Sequence, residues 1–141
     1  MTVVDASVAV KWLWPEPGEA EARQILDGGT KLFAPALIRI EVAGAILRRY
    51  RQKSITEGEA HSACGLWGRI IGGGILQLIP NDELFDTALA LAFLTQHALA
   101  DCLYVAAGKE LDLPVLTADQ ILHQRCNRFG KIELLGGHTS H

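Results

Sequence analysis

Four carboxylates interrupt stretches that are otherwise apolar. Asp5 directly follows Val3-Val4, and Asp119 follows Val115-Leu116-Thr117-Ala118. Glu41 lies among Ile38, Ile40, Val42 and Ile46, with Leu37 and Ala45 one helical turn away on its own face. Asp101 is surrounded by Leu99, Leu103, Val105, Ala106 and Ala107. Each has an ordinary explanation. Asp5 and Asp119 suit helix N-caps, Asp101 suits the first turn of a helix, and Glu41 could pair with Arg48 or reach water. As a set they point elsewhere. Four acids gathered at one sheet edge repel one another strongly, and a divalent cation relieves that repulsion. All-oxygen ligation selects Mg²⁺ or Mn²⁺ over zinc. Such a cation polarises a phosphodiester oxygen and acidifies a bound water, and two ions about 3.5–4 Å apart stabilise both attacking and leaving oxygens.

The elements that would hold these acids alternate. Thr2 to Val4 reads as a buried strand, followed by a short helix from Val8 to Trp14 that Pro15 stops. An amphipathic helix runs from Glu19 to Leu26 and ends at Gly28-Gly29. Leu32 to Ala34 is a strand. Pro35 is expected to open a long helix reaching Arg51. Thr56 and Glu59 have capping-box spacing for a helix to about Ile71, closed by Gly72-Gly73-Gly74. Ile75 to Ile79 is a strand, and Asn81 or Asp82 is expected to cap a helix reaching about Thr95. A helix from Leu99 to Leu111, a strand from Pro114 to Leu116, a short helix capped by Asp119 and a strand from Ile132 to Leu135 complete the pattern. This alternation predicts an α/β fold in three layers, α/β/α, around a central parallel sheet. In such sheets ligands bind at the carboxyl ends of strands, where Asp5 and Asp119 would stand. One domain over residues 1–135 is expected, with 136–141 a flexible tail.

The bulk composition fits this picture. Nearly half of the 141 residues are hydrophobic, enough for one sizeable core. A net charge of −3 argues against a generic nucleic-acid binder. Setting aside four metal-bound carboxylates turns that charge to +1, so RNA is not excluded. Cys64, Cys102 and Cys126 form no metal or redox pattern and suit reduced thiols in a cytoplasm. No signal peptide is read at the N-terminus, and the longest apolar run, Ala88 to Leu94, falls short of the ~20 residues of a membrane helix.

Several other features carry less. The triple glycine lacks the Lys-Ser or Lys-Thr that a phosphate loop needs. His61, His97, His123, His138 and His141 show no ligand spacing, although His97 is near Asp101 in sequence. Trp12, Trp14 and Trp67 read as core or interface anchors, and Leu89, Phe93 and Leu94 as dimer surface or core. A phosphoacceptor receiver domain would need a mid-chain strand-end Asp and a later strand-end Lys, and neither is present.

The acidic motifs together resemble those of PIN domains. Val3-Val4-Asp5-Ala6-Ser7 is similar to their opening, and Ile40-Glu41-Val42 with Leu47-Arg48-Arg49 to their second acidic motif. Ala100-Asp101-Cys102-Leu103-Tyr104-Val105-Ala106 resembles the third, and Leu116-Thr117-Ala118-Asp119 the fourth. Cys102 departs from the pattern, where small residues such as Ala are common, and reads as packing. Length and the opening through Trp12 and Pro15 look most like VapC-type toxins of toxin–antitoxin pairs. The resemblance implies a Mg²⁺- or Mn²⁺-dependent endoribonuclease, a homodimer, silenced by a small antitoxin protein. It implies Asp5, Glu41 and Asp101 as the main metal ligands, with Asp119 completing the site. Ser7 and Thr117 would support the carboxylates by hydrogen bonds, or serve as ordinary caps. Arg48 and Arg49 are candidate RNA-phosphate contacts, or a solvated helix end that favours the dipole. The alternative function is a catalytically inactive PIN-like scaffold that binds RNA or protein. A DNA-directed nuclease also stays open, because the acids do not distinguish the two substrates.

Overall fold

β1 (Thr2–Val4) is the middle of five strands, and both of its valines are fully buried. The computed structural model describes residues 1–136, so the expected tail falls, beyond Gly136, outside the described residues. β2 (Leu32–Pro35) and β3 (Leu76–Ile79) lie to one side of β1, β4 (Val115–Thr117) and β5 (Ile132–Leu134) to the other. The order is β3-β2-β1-β4-β5, and every pairing is parallel. The chain therefore builds outward on one side, then returns past β1 to build on the other. That reversal places a topological switch point between β1 and β4, and helices on both faces. The three-layer α/β/α architecture is the one the alternating pattern predicts.

The helices are α1 (Ala6–Ala9), α2 (Glu19–Asp27), α3 (Ile38–Arg51), α4 (Glu57–Gly72), α5 (Asn81–Thr95), α6 (Leu99–Leu111) and α7 (Gln120–Cys126). Local chemistry explains several of their limits. Thr56 Oγ1 accepts from Glu59 N at 3.1 Å while Glu59 Oε1 accepts from Thr56 N at 2.8 Å, the reciprocal capping box that starts α4. Asp5 caps α1 through Val8 N, so that helix begins two residues before the expected Val8 and tightens into a 3-10 turn over Val10–Trp12.

Two expectations are corrected. Pro35 ends β2 instead of opening α3. It pairs with Ile79 of β3 but lies beyond the residues paired with β1, where its missing N–H costs nothing. Asn81 does not cap α5. Its Oδ1 instead accepts from Leu37 N at 3.0 Å and ties the start of α3 to the start of α5.

The core runs along both faces of the sheet. Trp12 and Trp67 meet with ring centroids 6.5 Å apart, and each indole N–H is satisfied by a backbone carbonyl, of Ala22 and Arg39 respectively. α6 is buried continuously from Cys102 to Gly108. Gly108 makes this possible: a Cβ there would collide with Val115 Cγ2 and come within 2.9 Å of Leu113 O. α6 thus rests directly on β4 and carries its polar side chains to a fixed place. No single helix among the described residues is long and apolar enough to cross a membrane.

Candidate active site

Asp5 and Asp119 leave the carboxyl ends of β1 and β4, the two strands that flank the switch point. β1 and β4 run in register through Val4 and Leu116, and Asp5 N donates to Leu116 O at 3.2 Å. α3 brings Glu41, and α6 brings Asp101 and Tyr104. Burial is the main cause that raises the pKa of Asp5 and of Glu41, and the negative charge of Asp101 adds to both shifts. Asp101, Asp119 and His97 present donor atoms within 4.8 Å of one another. Asp101 is thus close to Asp119 in space and acts on Asp5 and Glu41 through its charge.

Asp5 is the most enclosed, at 5% exposure. Ser7 Oγ donates to its Oδ1 at 2.6 Å, and Thr117 Oγ1 donates to its Oδ2 at 2.5 Å. The two hydroxyls are themselves held, by Ala118 N donating to Ser7 Oγ at 2.8 Å and Asp119 N to Thr117 Oγ1 at 3.0 Å. Burial pushes the Asp5 carboxyl up to about 6, against the lowering effect of these hydrogen bonds. Asp5 is both an α1 cap and a member of the cluster, so the two readings of this residue are not rivals. The same holds for Asp119. Its Oδ1 accepts from Ile121 N and Leu122 N, at 2.9 and 3.2 Å, and those bonds leave Oδ2 to the site.

Glu41 is half-buried, and its partner is not Arg48. Tyr104 Oη donates to Glu41 Oε1 at 2.5 Å. Burial raises the Glu41 carboxyl above its ordinary value, and the tyrosine bond opposes that shift. The α3 surface around it is less apolar-facing than its sequence suggests: Ile38, Val42 and Ile46 are buried, whereas Ile40 is 72% exposed.

Two residues join the site beyond the expected set. Tyr104, three residues after Asp101 on α6, shares its face, a spacing visible in the sequence without its partner. His97 Nε2 lies 2.8 Å from Asp101 Oδ2, so the histidine closest to an acid in sequence is also against it in space. The arginines divide. Arg48 is exposed. Arg49 is engaged inside the protein, 2.9 Å from Glu16 Oε2 and stacked 4.3 Å above the Trp14 ring. Glu16 also meets Lys11 Nζ at 3.3 Å and Trp14 Nε1 at 3.1 Å.

The donor chemistry fits a hard divalent cation. The acids offer carboxylate oxygen from two strand ends and two helices, and a cation would favour the charged form of Asp5 that burial disfavours. Among the described residues, Asp101, Asp119 and His97 are the donors brought within 4.8 Å of one another, and Asp5 and Glu41 fall outside that group.

Comparison with known proteins fits this arrangement. The PIN domain family model matches residues 2–127. The chain belongs to the PIN-domain family. Solved structures repeat this PIN fold at low sequence identity. VapC20 of Mycobacterium tuberculosis, a sarcin-ricin-loop-cleaving toxin, superimposes with a TM-score of 0.68 at 14% identity, covering 88% of this chain and 94% of that one. PAE2754 of Pyrobaculum aerophilum gives 0.67 at 17% identity, covering 88% and 83%. A toxin–antitoxin complex from Klebsiella pneumoniae gives 0.62 at 14% identity, covering 94% and 96%. A search of curated protein sequences finds no match to this PIN domain.

Proposed function

We propose that this PIN domain is a Mg²⁺- or Mn²⁺-dependent endoribonuclease that hydrolyses RNA phosphodiesters, and that it is the toxin of a toxin–antitoxin pair. The observation that supports the reading is the approach of Asp101 to Asp119 beside the switch point between β1 and β4, with the Asp101 charge also felt by Asp5 and Glu41. A bound divalent ion would supply Lewis-acid polarisation of the phosphate and a more acidic attacking water. The chain's own part is to hold its acids ionised and aimed. Ser7 and Thr117 fix both oxygens of Asp5, and Tyr104 fixes one oxygen of Glu41. Asp119 spends one oxygen on its helix and keeps the other available.

The toxin reading is supported by fold neighbours that include a VapC toxin and a toxin–antitoxin complex. A small antitoxin protein would be the regulatory partner. Homodimer formation is supported by Phe85, Leu89 and Phe93, one exposed apolar stripe along α5. A cytoplasmic setting is supported by three free cysteines. Arg48, exposed at the end of α3, is the candidate RNA-phosphate contact.

The test is cleavage of matched RNA and DNA oligonucleotides by wild-type protein and Asp5→Asn. RNA cleavage that falls at least ~100-fold in the variant is expected, on the scale of lost metal support. Unchanged cleavage in Asp5→Asn, or preferential cutting of DNA, would contradict it. Binding of RNA without cutting would favour the inactive scaffold.

A further inference from the structure

His97 occupies the three-residue turn between α5 and α6, and the turn is tied down. Its backbone N donates to Thr95 Oγ1 at 3.2 Å, and Thr95 Oγ1 donates to Leu91 O at 2.8 Å. The imidazole side chain is only 8% exposed, while the Asp101 carboxylate beside it is 38% exposed. An acid that open would ordinarily swivel, and among the described residues no other hydrogen bond reaches it. Asp101 is also the acid whose charge acts on Asp5 and Glu41 and whose donor atoms approach Asp119. Its orientation therefore matters to both halves of the site.

The second ring nitrogen decides what His97 does. Nδ1 is buried and has no hydrogen-bond partner. A hydrogen there would be a buried donor with nothing to bond, which is costly. The hydrogen belongs on Nε2, which then donates to Asp101 Oδ2 at 2.8 Å. Nitrogen ligation of a metal through Nε2 would move the hydrogen to the orphaned Nδ1, and ligating histidines normally donate their other N–H to a carbonyl or carboxylate.

We infer that His97 is a positioning residue for the metal centre. It commits one oxygen of Asp101 to a fixed hydrogen bond and leaves the other aimed for a divalent cation. The inference rests on the metal-dependent reading above. It adds a role for a residue outside the four acidic motifs, placed by the α5–α6 turn.

Mn²⁺ binding followed by electron paramagnetic resonance tests this without any turnover. His97→Leu should weaken Mn²⁺ binding by about 10–100-fold, the usual scale for losing a supporting partner. His97→Gln, whose amide can reach the Nε2 position, should recover most of that loss, whereas His97→Asn, too short to do so, should not. The Gln–Asn contrast keeps the test valid even where the leucine variant folds poorly. Wild-type affinity in His97→Leu, or equal affinity in the Gln and Asn variants, would overturn the inference. So would nitrogen hyperfine coupling of the strength of a direct ligand. No Mn²⁺ binding by the wild-type protein would instead overturn the metal-dependent reading itself, and this inference with it.

Discussion

The Tyr104 hydroxyl donates to Glu41 Oε1 at 2.5 Å, joining α6 to α3 through residues 63 apart in the chain. The bond gives a half-buried acid a partner that carries no charge. It lowers the Glu41 pKa against the raising effect of burial. Tyr104→Phe should therefore leave Glu41 holding its proton to higher pH. Metal-dependent activity should fall by about 10-fold, on the scale of lost supporting bonds, and its acidic limb should shift upward in pH. Stability should fall by about 1 kcal/mol, the net worth of a typical hydrogen bond. Activity–pH profiles and urea melts of the variant check both effects.

Asp5 makes the metal-free protein sensitive to pH. Its carboxyl holds a proton up to about 6, against an ordinary value of 3.8, mainly because of burial. The folded value is the higher one. The stabilising contribution is complete below pH 3.8 and is lost as pH rises through 6. The shift corresponds to about 3 kcal/mol by order of magnitude. Between pH 5 and 7.5, Asp5→Asn should remove a large part of the stability change seen in metal-free wild-type protein. Calorimetric melts at the two pH values measure it. An identical pH response in variant and wild type would sink this assignment. Mn²⁺ binding should show the opposite trend, weakening below pH 6 as Asp5 takes up its proton.

Gly108 sets the distance between α6 and β4. Gly108→Ala forces a methyl group against Val115 and the Leu113 carbonyl. A cost of about 1–3 kcal/mol is expected from overpacking. Denaturant unfolding should show it, even though the substitution adds nothing polar and lies two turns from Asp101. Unchanged stability would mean that α6 can slide on the sheet.

Arg48 and Arg49 should separate cleanly. Arg49 stacks on Trp14 and pairs with Glu16, so Arg49→Ala should cost about 1 kcal/mol of stability. Arg48→Ala should leave stability nearly unchanged and weaken RNA binding with a shallower salt dependence. Thermal melts and binding at two salt concentrations distinguish these outcomes.

Much of this arrangement was legible along the chain, and the rest was not for identifiable reasons. α6 spans Leu99–Leu111, the limits its periodicity predicts, because Pro114 and the apolar run leave little choice. Asp5 and Asp119 stand at strand ends because short buried strands stop where their apolar residues do. A proline suits both a strand end and a first helical turn, so the sequence alone does not place Pro35 at the end of β2. Asn81 has the side chain of a helix cap, but a tertiary partner, Leu37 N, takes it. The partner of Glu41 could not be read locally, since Tyr104 arrives from another helix and Arg48, although nearby in sequence, does not form the pair. His97 was visible beside Asp101, yet only its burial and its orphaned Nδ1 give that proximity a meaning.

The most direct measurement is RNA cleavage by protein stripped with chelator and then resupplied with Mg²⁺ or Mn²⁺, with Asp101→Asn run beside it. Cleavage should vanish on stripping, return with either ion, and stay at least ~100-fold lower in the variant. Cleavage that persists in the stripped protein, or that Asp101→Asn supports as well as wild type, would contradict a metal-dependent ribonuclease built on these four acids.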